Sequence, residues 1–481
     1  MKDASTDKMS EDISEDLKVN DVKIKFTDKP ITSWGGLATL LGKFLEVIKF
    51  QDWVELNIPI TENSNNSIAI YDKVVSQFIT TLSGGSRFSH LQLWTHGSEA
   101  IKKIFKLEKI PKASTTLTRF WGKISTFKLS EQLLTSCRDY ALLISLNWAQ
   151  IRKSNLNFDS SVLIRYGQQE GAKRGYNPTK KGRPSHNPII AFLGSSGYTV
   201  NIWNRSGDVS SGNGIVDFFK QTVHSLGSDF EIDRILCDSG FYLIDFITHL
   251  ENNTYKYIIA VPISEILQKT IMRLQNWQQI ADGIEIAEFK FQHQDKKWTK
   301  NRRYVVVRQE TSQRPKATGK QPSLFKELDE LKPYRFSLYL TNENQADLSA
   351  QDVWREYRPR ANDENCIKDL KEGCNLHKFC LKNFWATSAI LTMITLVFYN
   401  LVNYFNSNYI NPDKPKEQIK TLRLKYFIIA GQLGSESRYS IFRLGIACKK
   451  TRLRFQKILI ELKNFSKNIN CNAVEIIPGG T

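Results

Sequence analysis

The sequence predicts an α/β protein, a mixed-sheet core interrupted by a β-rich insertion and flanked by a helical N-terminal region and a basic C-terminal region. Three observations carry this. Apolar residues recur at helical spacing up to about residue 150 and then alternate as strands. Between 151 and 262 the elements run strand, strand, strand, helix, strand, helix, strand. From Pro262 to Pro333 the pattern breaks into charged, strand-like pieces before core-like strand and helix patterns resume.

Residues 1–28 are acidic and polar, and read as a disordered lead-in without a secretory signal. Over 29–150, Ala38, Leu41, Phe44, Leu45 and Ile48, then Val74, Phe78, Ile79 and Leu82, mark helices. Within 97–126 a helix-turn-helix is legible: Pro111 breaks the chain, and Ser114 is placed to cap a second helix carrying Thr115, Arg119 and Lys123. Ordinary helical packing suits the same residues.

The core strands are LNFDSSVLIRYG, NPIIAFLGSSG, YTVNIWNRSG, EIDRILCDSG and YKYIIAVP, with helices GNGIVDFFKQTVHSLG and LIDFITHLENN between them. That is the element order of an RNase H-like mixed sheet. The insertion, 263–336, contains IEIAEFKFQHQ and RRYVVVRQE; the core resumes over 337–405 at RFSLYLTN and a helical region to Glu372. An uncharged run from Asn383 to Asn411 is long enough to span a bilayer, but its Asn400, Asn403, Thr and Ser suit a helix buried in a large core. The last region, 406–481, holds a hairpin or two short elements and a basic amphipathic helix with Lys449, Lys450, Arg452, Arg454 and Lys457.

Over 481 residues the net charge is +18, which favours a polyanionic partner. The seven cysteines are irregularly spaced, so reduced thiols fit better than a disulfide framework. Cys374, His377 and Cys380 invite a zinc site, but a fourth ligand is not evident. No P-loop, serine or cysteine triad or redox motif is legible.

Three carboxylates stand out. Asp159 lies on a strand between apolar Phe158 and Val162, where a carboxylate needs a partner or a cation. Asp238 ends the apolar strand ILC just before Ser239-Gly240. An aspartate at a strand end is ordinarily a turn or helix cap. Adjacent first and fourth strands of an RNase H-like sheet would, however, bring these two together. Glu364 belongs to a Tyr357-x2-Arg360-x3-Glu364-x6-Lys371 pattern, whose steps place Arg360, Glu364 and Lys371 on one helix face. Such a stripe suits either a solvated helix with ion pairs or a phosphate backbone. Asp363 and Asp369 are rival carboxylates, and the spacing selects Glu364. Clustered carboxylates can hold two divalent ions about 4 Å apart for phosphodiester cleavage.

The segments FDSSVLIRYGQQEGAKRGYNPTKKGRPSHNPIIAF, ILCDSGFY and YRPRANDENCIKDLKEG resemble the YREK-signature, hairpin-forming DDE transposases of bacterial insertion sequences. Within that superfamily, numbered four, they resemble the thirteen-eighty family. The resemblance spans roughly residues 30–465 and implies an RNase H-like mixed-sheet catalytic core. It implies Mg²⁺-dependent cleavage at terminal inverted repeats, with Mn²⁺ able to substitute, a hairpin intermediate and strand transfer into target DNA. A homodimer on double-stranded DNA, without a membrane partner, in the nucleoid-associated bacterial cytoplasm is implied as well. Asp159, Asp238 and Glu364 then take the catalytic and metal-ligand roles, and Tyr357, Arg360 and Lys371 handle DNA. Pro359 departs locally from a continuous helix and sets Tyr357 just before the Glu364 helix.

Relatives with an insertion receive a flipped base on an aromatic side chain. Trp298 and Trp277 are candidates here, and either equally suits the insertion's own core. The loop from Gly167 to Pro188 carries Lys173, Arg174, Lys180, Lys181 and Arg183, too basic to bury and suited to phosphate. Arg119 is the candidate DNA contact of the N-terminal region. The competing readings are a catalytically inactive or repurposed transposase-derived DNA-binding protein, and a plain nuclease of the same fold.

Overall fold

The computed structural model describes residues 18–19, 22–23 and 29–469, apart from 63, 65, 96, 97, 178, 179, 296 and 311–333. Most of the acidic lead-in lies outside these. Its described part, Lys18–Val19 and Val22–Lys23, pairs as two antiparallel strands, so the expectation of disorder does not hold there.

The centre is a nine-stranded sheet. Its strands are β1 (Lys153–Ser160), β2 (Ile189–Leu193), β3 (Tyr198–Trp203), β4 (Glu231–Cys237), β5 (Tyr257–Ala260), β6 (Gln278–Ala281), β7 (Ile284–Phe291), β8 (Arg302–Glu310) and β9 (Tyr334–Thr341). The spatial order is β6-β7-β8-β9-β5-β4-β1-β2-β3. β1 runs antiparallel to β2 but parallel to β4, and β4 runs parallel to β5. The first and fourth strands are therefore neighbours, as the RNase H-like reading requires. The insertion adds β6, β7 and β8 to the same sheet through β9, which pairs antiparallel with β5.

The main helices are α1 (Gly35–Val47), α2 (Phe50–Asn57), α3 (Ile70–Leu82), α4 (Ser114–Gly122), α5 (Phe127–Leu142), α6 (Ile215–Leu226), α7 (Ile244–Asn252), α8 (Ala350–Tyr357), α9 (Ala361–Lys368), α10 (Phe384–Ile410) and α11 (Lys449–Ile469). Side chains alternate between the two faces of each strand. Phe158, Cys237, Ile259 and Val306 pack with Phe218, Phe219 and Phe246 of α6 and α7 on one face. On the other face α8 covers Leu236, Ile258 and Val305 through Val353, while Ile190 and Phe192 join the helical body.

That helical body is a single hydrophobic cluster containing Phe44 of α1, Phe78 of α3, Phe398 of α10 and Ile458 of α11. It unites stretches that the sequence pattern reads as separate N- and C-terminal regions. The hairpin β10 (Gly431–Glu436) and β11 (Tyr439–Leu444) adds Ile31–Thr32 as a third strand. Gly36 shows how close this union is, since a Cβ there would stand 1.9 Å from the Tyr426 carbonyl oxygen. By length and composition α10 could cross a membrane, yet 94% of its most apolar window is buried inside the protein. Its Asn400 Oδ1 accepts the Thr199 N–H at 3.0 Å, and its Nδ2 donates to the Thr199 carbonyl at 2.7 Å. The outer edge of β3 is thereby capped by a side chain.

The insertion is clamped to the core by charge. Glu251 of α7 accepts hydrogen bonds from Arg302 Nε at 2.7 Å, Lys300 Nζ at 3.1 Å and Tyr257 Oη at 3.0 Å. Burial pushes its carboxyl up, but the bonds from Arg302 and Lys300 outweigh this and hold it below the usual value. A depressed folded-state pKa stabilises above the unfolded value, about 4.3, and that stability is lost as pH falls through the folded value. Glu251→Gln is therefore expected to flatten the loss of stability below about pH 4.3. Urea midpoints measured across the acid range check this; parallel curves for both proteins would count against it.

Candidate functional site

Parallel pairing of β1 and β4 sets Phe158 against Cys237, so Asp159 and Asp238 stand side by side at the C-terminal ends of adjacent strands. In open α/β sheets this edge is where ligands bind. Asp159 is 8% exposed. Its Oδ1 accepts the Ser160 N–H at 2.7 Å, and its Oδ2 lies 3.2 Å from Nη2 of Arg360. Burial raises its pKa to about 6; Arg360 opposes this, while the charges of Asp238 and Glu364 add to it. Asp238 Oδ1 accepts the Gly240 N–H at 2.9 Å, so it caps the turn as well.

The third element of the site is bent at proline. α8 ends at Tyr357, Arg358–Arg360 form one tight turn, and α9 starts at Ala361. Proline is comfortable in such a first turn. The Tyr357 hydroxyl donates to the Cys237 carbonyl at 3.0 Å, fastening α8 to the end of β4. Burial works against the Arg360 charge, but Tyr357 and the carboxylates of Asp159, Asp238 and Asp363 hold its pKa above the ordinary value. Glu364 is exposed and lines a groove beside Arg360.

Beyond Lys368 the helix widens over Asp369–Gly373, with the Cys374 N–H bonded to the Asp369 carbonyl. Regular 3.6-residue spacing thus stops before Lys371, so helical spacing alone does not fix the direction of that side chain. Lys371 still lies in the field of Asp159, which opposes the lowering of its pKa by burial.

The rival carboxylates have other positions. Asp363 is fully buried, and its Oδ1 accepts Asn157 Nδ2 at 3.1 Å. Burial pushes its pKa up to about 7 against the pull of Arg360. Asp369 accepts the Ile419 N–H at 2.9 Å and so ties α9's extension to the next segment. Sequence spacing overlooked the Asn157–Asp363 pair; the only cue was a polar Asn157 two residues before Asp159 on an apolar strand.

Among the described residues, no three His, Cys, Asp or Glu side chains close on one metal position, and this holds for Asp159, Asp238 and Glu364 as well as for Cys374, His377 and Cys380. At the sheet edge, Asp159 and Asp238 supply hard oxygen donors, and the Arg360 guanidinium already draws positive charge against them. Those oxygen donors suit a hard divalent cation in type, while Glu364 stands at the groove side and does not close with them on one position.

The remaining sequence candidates come from other elements. Trp298 is half-buried between the rings of Tyr242 (5.1 Å) and His293 (4.4 Å), with Arg302 over its face at 5.3 Å. It borders an open depression of about 510 Å³. Trp277 lies under Arg308 at 4.1 Å and against Phe336. Lys173, Arg174, Lys180, Lys181 and Arg183 are all exposed, with Lys173 paired to Asp208 at 3.1 Å. Arg119 is exposed on α4 while Leu117, Phe120 and Trp121 are buried. Ser114 is the first residue of that helix, and Ala113 occupies the cap position in its place.

A mixed sheet with paired aspartates at the C-terminal ends of its first and fourth strands defines a candidate nucleic-acid-processing site. The family model described as Transposase DDE domain group 1 matches residues 15–467, and the chain belongs to that family. It is a transposase with a DDE domain. A solved structure described as the piggyBac transposase synaptic complex with hairpin DNA is similar at 13% identity and a TM-score of 0.40, covering 92% of this chain and 83% of that one. No curated protein matches the chain.

Proposed function

We propose that the protein cleaves DNA at the terminal inverted repeats of its own element and joins the released ends to target DNA, as a cut-and-paste transposase of the YREK insertion-sequence group. The observation that carries this is the adjacency of Asp159 and Asp238 beneath Arg360, with Glu364 alongside, in a chain of the DDE transposase family. The further particulars are a hairpin intermediate, work as a homodimer, and residence at the bacterial nucleoid. They rest on the sequence resemblance.

In this reading Asp159, Asp238 and Glu364 hold Mg²⁺ or Mn²⁺. When bound, such ions polarise the scissile phosphate and activate the attacking oxygen. Arg360 and Lys371 neutralise phosphate oxygens, Arg360 with a planar fork. Tyr357 holds the end of β4 against α8 and keeps Asp238 in place. Trp298 takes an extruded base. The loop residues Lys173, Arg174, Lys180, Lys181 and Arg183, together with Arg119, position the duplex by its backbone.

The test is cleavage of DNA carrying the repeats that flank the coding region, with and without Mg²⁺. Metal-dependent breaks at the repeat tips support the reading; tight binding without cleavage in Mg²⁺ or Mn²⁺ supports the DNA-binding alternative. For the loop, the triple change of Lys180, Lys181 and Arg183 to alanine is expected to lower the slope of log affinity against log salt. The expected drop is about 0.9 for each phosphate that the loop no longer neutralises. An unchanged slope would remove the loop from the interface.

A further inference from the structure

Carboxylates on the ends of neighbouring strands repel one another and need a cation beside them to stay ionised. In the chain alone that cation is an arginine. Arg360 Nη2 stands 3.2 Å from Oδ2 of Asp159, and Arg360 is 6% exposed. Asp238 and Asp363 also favour its charge. Glu364 follows one helical turn later on α9, near enough for its charge to act on Asp159. The guanidinium therefore belongs to the same cluster as all three carboxylates, which by themselves do not close on one metal position.

The contact lacks the two-pronged fork that arginine commonly offers a carboxylate. Nε and Nη2 of Arg360 are buried, and neither makes a hydrogen bond among the described residues. The guanidinium is held by charge and by the Tyr357 ring, 5.9 Å away. Two buried donors without acceptors leave this position incompletely satisfied, and the oxygens of an incoming phosphate would supply what is missing. Arg360 also lines the groove that Glu364 borders, so the side chain has a way toward solvent that does not cross the core. Oδ2 of Asp159 does not serve a guanidinium and a divalent ion together. The two positive centres would compete for one oxygen and repel each other at close range.

We infer that Arg360 is the resident counter-ion of Asp159 in the DNA-free chain, and that a DNA phosphate must draw it off before a divalent cation binds there. Metal entry is thereby tied to the arrival of DNA. The inference rests on the transposase reading for its phosphate and its ion, but its test does not depend on cleavage. It makes an inverted prediction: taking a positive charge out of the cluster improves the affinity for a positive ion. An arginine docked in about nine molecules of ten lowers the apparent affinity about tenfold.

The full chain is titrated with Mn²⁺ in the absence of DNA, and the free ion is followed by its paramagnetic resonance signal. Arg360→Gln is expected to bind Mn²⁺ about tenfold more tightly than the unaltered chain, and a further Asp238→Asn to abolish the gain. Arg360→Lys, whose shorter side chain has no fork, serves if Arg360→Gln does not fold; it is expected to show a smaller gain. A second measurement needs no variant. Mn²⁺ is expected to tighten binding of a labelled duplex that ends at the repeat tip, and so has no flank to cut, by about fivefold or more. Mn²⁺ affinity in the variant that is equal to or below that of the unaltered chain overturns the proposal. So does a gain that survives Asp238→Asn, or duplex binding that Mn²⁺ leaves unchanged. A protein that cuts repeat ends without the Mn²⁺ gain sinks the counter-ion role alone. A gain in a chain that cuts no repeat end leaves that role standing and removes the proposed reaction.

Discussion

Asp238→Asn and Glu364→Gln are each expected to reduce repeat-end cleavage on the order of a thousandfold or more, while DNA affinity stays within about twofold. Both substitutions keep the size of the side chain and remove the charge that a divalent ion needs. Among the described residues, Asp238 has the Gly240 N–H as its hydrogen-bond partner at a strand end, and Glu364 is exposed, so neither change leaves a buried charge unpaired. Asp159 is a poorer first choice. It is buried against Arg360, and neutralising it would strand the guanidinium, which mixes folding with chemistry. Cleavage rates with a binding titration on the same preparations separate the two effects. Variants that cut normally would remove Asp238 and Glu364 from the reaction; variants that lose binding as well would point to a structural role.

The second large effect concerns α10. Asn400→Leu keeps the volume of the side chain and improves apolarity, so a purely hydrophobic account of this helix predicts little change. The structure predicts a loss of about 2–4 kcal/mol, because the backbone N–H and carbonyl of Thr199 would be buried without partners at roughly 1–3 kcal/mol each. Urea unfolding of the two proteins decides between these. A difference under about 0.5 kcal/mol would show that water or the Thr199 side chain replaces the missing bonds.

Those two residues also show where the chain was legible. The strands that carry Asp159 and Asp238 announce themselves by alternation and by turn residues at their ends, which are local signals. Spacing selects Glu364 over Asp363; in the structure Glu364 is exposed and Asp363 faces Asn157. Spacing loses its meaning where the helix is no longer regular, at the widened turn that holds Lys371. Alternation in the insertion showed strands but not their neighbours. That β8 and β9 would continue the core sheet, and build a groove at its edge, depends on contacts between residues distant in sequence.

The joining of α1 to the segment around Tyr426 sets an order of events in the making of the protein. The first helices emerge from the ribosome with their apolar faces bare, and the surfaces that cover them are about 390 residues away along the chain. At 5–20 residues per second, that is a wait of roughly 20–80 s. The helical body therefore closes only after the segment around Tyr426 has been made, and a chain cut short before Tyr426 leaves Phe44 and Phe78 without their full cover. Early termination would yield an aggregation-prone fragment in place of a smaller folded protein, and quality control would see the nascent chain before DNA does.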